Sequence, residues 1–149
     1  VKLTKAQRAT LREMFGGLCA YCGQPLGQVW HADHVENVER KLVYVSGKGV
    51  VATGEFHRPE RDTLENMMPA CPPCNIDKHI DTLEGWRKKL SNSCAVLQRN
   101  QPTYRHALRY GLVQETGVAV VFHFERVRAA ERAEVKAASD EAKPFNVEA

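Results

Sequence analysis

"PACPPCNIDKH", Pro69 to His79, sets two cysteines, an asparagine and a histidine within eleven residues. It reads as one metal site, as two, or as a proline-stiffened turn that happens to carry polar residues. The rest of the chain helps to choose. Cys71 and Cys74 form one C-x-x-C pair, and Cys19 and Cys22 form another, with 48 residues between the pairs. A C-x-x-C turn can place two sulfurs on one cation, and two such turns make the tetrahedral four-thiolate site of structural zinc. Turn-forming residues accompany both: Gly23 follows the first pair and Pro72-Pro73 lies inside the second. The spacing exceeds that of a compact zinc ribbon, so further structure is expected between the two knuckles. Buried free cysteines, or one redox pair, would not account for two matched pairs. Cys94 stands alone and is expected as a small residue in a helix core.

Composition sets the frame for that site. The chain has 149 residues, 43% hydrophobic and 26% charged, enough for one domain with a core. A single domain is expected over 1–128, with a helical or disordered tail over 129–149. No uncharged apolar run nears the ~20 residues of a membrane span, and no basic-then-apolar leader opens the sequence, so the expectation is a cytoplasmic protein without a membrane partner. An odd count of five cysteines and the missing leader argue against a disulfide framework. Net charge is +3, carried by residues 1–100 with 14 Lys/Arg against 11 Asp/Glu. Such an excess permits a polyanionic partner without requiring one.

Local patterns place the motifs on elements. "TKAQRATLREMF", 4–15, reads as a helix capped by Thr4 and ended by Gly16-Gly17. "QVWHADHVENV" suggests a strand, and "KLVYVSGKGVVAT" a hairpin around Ser-Gly-Lys-Gly. After Cys74 the chain reads as helical in two pieces, with Asp81 and Glu84 resembling a capping box. A further helix is expected over "PTYRHALRYGLV". "GVAVVFHFERV" alternates Val118, Val120, Phe122 and Phe124 on one face, which predicts a strand.

Four thiolates leave other polar residues unexplained. Asp33 and His34 follow a strand, Asn66 precedes the second knuckle, and Asn75 and His79 stand four apart, on one face of a helix. A carboxylate, an amide oxygen and an imidazole make a harder donor set than thiolate, suited to an ion such as Mg²⁺ or Mn²⁺ with open positions. The opening stretch therefore feeds two metals: Cys71 and Cys74 serve one, Asn75 and His79 the other.

Asp33-His34, then Asn66, then Asn75 within C-x-x-C-N-x-x-K-H, resembles the HNH endonuclease family with its ββα-metal fold, in the zinc-bound four-cysteine subgroup. The likeness covers about residues 15–82, with 83–128 as a C-terminal extension, and "ERDTLENMMPACPPCNIDKH" and "VVFHFE" are similar to bacteriophage members. The resemblance implies an α+β fold and a metal-dependent DNA endonuclease. It makes Asp33 a metal-binding acid, His34 the general base, and Asn66 the residue that pins the loop holding that base. Asn75 becomes the second ligand and His79 a third. It also implies 5′-phosphate and 3′-hydroxyl products, structural Zn²⁺, and Mg²⁺, Mn²⁺ or another divalent cation for catalysis. The gap from His34 to Asn66 is longer than the family pattern and implies an inserted hairpin. Asp33 and His34 would point to opposite faces of a regular strand, so both reach one phosphate only where the strand ends or bulges.

Basic residues add candidate nucleic-acid contacts. Lys78 and Arg87 on the helix beyond the second knuckle read as phosphate contacts or as a solvated helix face. Lys41 and Lys48 sit in a hairpin of a kind that can enter a groove. His57 and Arg58 lie in a loop that could line a cleft. His31 reads as a partly buried histidine, His106 and His123 as structural, and Trp86 with Leu83 and Leu90 as core. Two alternatives stay open: a non-catalytic zinc-stabilised DNA-binding module, and a nicking subunit that acts with phage packaging machinery.

Overall fold

The computed structural model describes residues 2–141. The architecture is mixed α and β, with two small antiparallel sheets and a cluster of four cysteines. Helix α1 (Lys5–Glu13) starts as the sequence predicts. Thr4 accepts a hydrogen bond from the Gln7 N–H, and the Gln7 side chain accepts one from the Thr4 N–H, satisfying two donors a helix start leaves open. Its inner face delivers Leu11, with Phe15 just beyond its end, to the core. Gly16 and Gly17 then take φ of 61° and 75°, a left-handed stop that costs glycine little. The chain turns into the first knuckle, where the Ala20 N–H donates to the Pro69 carbonyl at 2.8 Å and ties that knuckle to the second.

Strands β1 (His31–His34) and β4 (Met67–Ala70) pair antiparallel, with Asp33 opposite Met68 and His34 opposite Met67. Every residue of β4 is buried, and helix α2 (Pro72–Lys78) follows at once. Between these strands, β2 (Arg40–Val45) and β3 (Gly49–Phe56) form the expected hairpin. It packs into no larger sheet, so Leu42, Tyr44 and Val50 remain exposed.

Helix α3 (Leu83–Ser91) is capped by Thr82, whose hydroxyl accepts from the Gly85 N–H at 3.1 Å. The expected Asp81–Glu84 box gives way to this cap one residue later. Helix α4 (Ser93–Asn100), whose N-cap Asn92 makes no side-chain capping bond, precedes α5 (Pro102–Arg109). Cys94 lies exposed on α4, which corrects its expected place in a helix core. A cap at Thr82 turns Trp86 inward, where it stacks on Phe122 at 5.0 Å and meets Tyr21 edge-on at 5.0 Å. Such pairs add roughly 0.5–1.5 kcal/mol beyond the area they bury.

The strand predicted around Val118–Phe124 does not form. Residues 117–122 run without a ladder, and α6 (His123–Glu141) begins at His123. Its first N–H groups find partners in the first knuckle: His123 donates to the Tyr21 carbonyl at 2.9 Å and Phe124 to that of Ala20 at 2.8 Å. Phe122 and Phe124 are buried as the alternation suggested, but across a helix entrance instead of along a sheet. Helix α6 runs unbroken through positions 128 and 129. Residues 142–149 of that tail lie outside the described residues. Among the described residues, no helix is long and apolar enough to cross a membrane.

Candidate metal centre and cleft

The sulfurs of Cys19, Cys22, Cys71 and Cys74 all lie within 4.8 Å of one another, and the Cys22–Cys71 pair stands at 3.8 Å. Four sulfurs at Zn–S distances of about 2.3 Å around one tetrahedral ion would be about 3.8 Å apart. The donor set and its spacing therefore fit a metal such as zinc. The local fold explains the convergence: a turn closed by the Gly23 N–H on the Cys19 carbonyl presents the first pair, while Cys71 caps α2 and Cys74 sits in its first turn. The Cys71 N–H points at the Cys19 sulfur at 3.4 Å, a contact that favours thiolate. Hydrogen bonding to Cys74 lowers the Cys19 thiol to about 4, and Cys74 is raised in turn by that same contact. Without a cation, four adjacent sulfurs cannot all carry charge.

Tyr21, between the two cysteines of the first knuckle, connects this centre to the next. It is buried, and its hydroxyl donates to Asp33 Oδ2. Burial and the Asp33 charge hold the phenol far above its ordinary range, so it stays a donor. Lys78 reaches the same oxygen at 3.0 Å and also donates to the His34 carbonyl at 2.7 Å. Both contacts fall on Oδ2, leaving Oδ1 of Asp33 available.

Asp33, His34, Asn75 and His79 line one cleft of about 720 Å³, together with His31 and His57. Among the described residues, the Asn75 amide and the His79 ring make no hydrogen bond to protein, so their donor atoms are uncommitted. An uncommitted carboxylate oxygen, amide oxygen and imidazole suit an oxygen-favouring divalent ion. His79 ends α2 at φ 48°, ψ −120°, a conformation costly for a side chain with a Cβ.

Strand β1 ends at His34, and Asn66 holds the chain just beyond it. Its Oδ1 accepts from the Glu36 N–H at 2.9 Å, and its Nδ2 donates to the Glu36 and Arg61 carbonyls, each at 2.8 Å. The Asn66 carbonyl accepts from the Val35 N–H at 2.8 Å. Asp33 turns inward to Tyr21 and Lys78, while the His34 ring meets Asp62 at 2.8 Å, and both residues line the cleft.

Two expected phosphate contacts are corrected. Lys78 is 1% exposed and held by Asp33, so its ammonium is neither a solvated helix face nor free for a backbone phosphate. Arg87 pairs with Glu84 and Glu125, donates to the Val120 carbonyl at 2.6 Å and lies over the Phe122 ring. It clamps the arriving 117–122 segment onto α3. Lys41 pairs with Glu55 at 3.0 Å, Lys48 stands exposed at the hairpin tip, and Arg58 lines an adjacent groove with Arg61 and Ile80. Sequence reasoning did not single out Tyr21 or Asp62. Their signals were slight: an aromatic residue inside a C-x-x-C, and an acid four residues before Asn66.

The chain is similar to the protein named "SPbeta prophage-derived putative HNH endonuclease YoqL" from Bacillus subtilis (strain 168), 28% identical over 89 residues. That match covers 56% of this chain and 33% of the relative, so the chain spans about one third of the relative's length. The likeness points to the HNH family, with which the cysteine cluster is compatible. No family model and no solved structure matches the chain.

Proposed function

We propose that this chain is a metal-dependent DNA endonuclease of the HNH type, encoded by a phage or mobile element, in which β1, β4 and α2 form a ββα-metal core. One observation carries the reading: Asp33, His34, Asn75 and His79 open onto a single cleft directly beside four clustered cysteine sulfurs. The prophage origin in the relative's name supports the assignment of source. Zinc held by Cys19, Cys22, Cys71 and Cys74 fixes the first knuckle against α2.

His34 acts as general base, taking the proton of the water that attacks the phosphodiester. Asn66 keeps the chain after His34 in place. Asp33, Asn75 and His79 hold the catalytic divalent cation, which when bound supplies positive charge toward the leaving oxygen. Tyr21 and Lys78 fix the Asp33 carboxylate by its Oδ2. Lys48, His57 and Arg58 are exposed candidates for the DNA backbone, and Lys41 is a partly exposed one beside its Glu55 partner.

Supercoiled plasmid incubated with Mg²⁺, Mn²⁺ or Ni²⁺ tests the reading. The expected result is nicked or linear product with wild type, none with EDTA, and a loss of roughly 10²–10⁴-fold for His34→Ala, with DNA binding and zinc content intact. Cleavage by His34→Ala at the wild-type rate removes His34 from the base role.

A further inference from the structure

Only the unprotonated nitrogen of a neutral imidazole can accept a proton, so the task given to His34 depends on which ring nitrogen faces the cleft. His34 Nε2 lies 2.8 Å from Asp62 Oδ1, with side chains 22% and 14% exposed. Asp62 stands between two short helical turns, Pro59–Arg61 and Leu64–Asn66, and its N–H is bound by the Pro59 carbonyl at 3.0 Å. Asn66 closes the same loop through the Arg61 carbonyl at 2.8 Å. An ionised carboxylate only accepts hydrogen bonds, so the nitrogen facing it carries the proton and the other keeps its lone pair. Asn66 bonds the main chain of Glu36 and Arg61 and, among the described residues, makes no hydrogen bond to the His34 ring. Backbone and ring are therefore held by different residues.

We propose that Asp62 is a positioning residue that locks His34 in the Nε2–H tautomer and leaves Nδ1 as the base atom. This rests on the nuclease reading of the same cleft. In the step, Nδ1 takes a proton from water as its oxygen bonds to phosphorus. The bond from phosphorus to the 3′ oxygen breaks with its electron pair on that oxygen, which takes a proton from solvent. The imidazolium so formed remains against the Asp62 carboxylate and later returns its proton to solvent.

The test uses the full, zinc-loaded chain labelled with ¹⁵N in histidine. Long-range ¹H–¹⁵N correlation, with His34 assigned through His34→Ala, is expected to show a slowly exchanging Nε2–H in wild type. Asp62→Ala loses that protection and mixes the tautomers. In plasmid cleavage its kcat falls roughly 10–1,000-fold, its KM stays within about twofold, and Asp62→Glu recovers part of the loss. Unchanged zinc content in these variants separates orientation from folding. An Nδ1–H in wild type overturns the proposal, as does Asp62→Ala with an unchanged His34 signature and full kcat. If wild type cuts no DNA yet shows the Nε2–H signature, lost in Asp62→Ala, the nuclease reading fails and the orientation by Asp62 stands.

Discussion

Helix α2 carries two sets of candidate metal donors that differ in nearly every physical respect. Cys71 and Cys74 at its start join Cys19 and Cys22 in a closed group whose members all face one another. Asn75 and His79, on the next face round, open onto a cleft with no protein partner for their donor atoms among the described residues. The first set has four soft ligands and no vacant direction, the pattern of a site that stabilises structure. The second offers few, hard donors with space beside them, the pattern the proposed substrate-facing site requires. On the proposed reading a single helix of seven residues separates holding from doing, and each side can be attacked alone.

Breaking the closed set should have the largest effect. Structural zinc contributes apparent binding energies of about 10–16 kcal/mol in small domains, comparable to a whole domain's stability. Cys74→Ser, or a strong chelator, is expected to melt the region around both knuckles, read as lost helical circular dichroism together with zinc release. Preserved structure after complete metal removal would show that the aromatic cluster of Tyr21, Trp86 and Phe122 suffices alone.

The link between the two sets comes next. Lys78 and Tyr21 converge on Asp33 from α2 and from the first knuckle. Removing one partner of a buried ion pair strands the other and costs about 3–5 kcal/mol, so Lys78→Met is expected to lower stability by that order in chemical denaturation. It should leave the salt dependence of DNA binding unchanged, because a buried ammonium releases no counterions on binding. A reduced salt slope would instead return Lys78 to the phosphate contacts where sequence reading had placed it.

That displacement shows what the sequence conceals. Features set by a few neighbouring residues were legible: the Thr4 cap, the hairpin around Gly47, and the two C-x-x-C turns. Asp33, His34, Asn75 and His79, singled out by residue type, line one cavity. Features set by distant chain were not legible. Lys78 and Arg87 look like solvent cations until Asp33 and Glu125 arrive beside them. The run from Val118 to Phe124 has strand periodicity but no neighbouring strand to pair with, and the carbonyls of Ala20 and Tyr21 capture its end as a helix start. Cys94 sits exposed on α4, and its apolar character did not bring it inside.

A smaller effect sharpens the open side. His79 holds φ at 48°, where a glycine would avoid a strain of about 1–3 kcal/mol. His79→Gly is expected to raise the melting temperature while increasing the divalent cation concentration needed for half-maximal cleavage. Higher stability with an unchanged cation requirement would leave Asp33 and Asn75 as the only protein ligands.

The smallest effect concerns a third face of α2, apart from both proposed metal sites. Asp77 accepts from Lys89 at 2.6 Å and from the Trp86 indole N–H at 2.7 Å, binding α2 to α3. The Lys89 contact first, and the Trp86 contact second, hold the Asp77 carboxyl below its ordinary value. A carboxyl depressed in the folded state contributes stability that is complete above its unfolded pKa, near ~3.9, and is lost as pH falls through the lower folded value. Asp77→Asn should therefore reduce stability at neutral pH and flatten its acid dependence below about pH 4. Because both partners are partly solvent-exposed, added salt should weaken the effect. A metal held by the four cysteines would also be lost in acid, since thiolates must be deprotonated to bind it. Comparing the variant with wild type at equal zinc occupancy isolates the carboxyl's share, and an identical acid profile in both would assign the acid dependence to the thiolates.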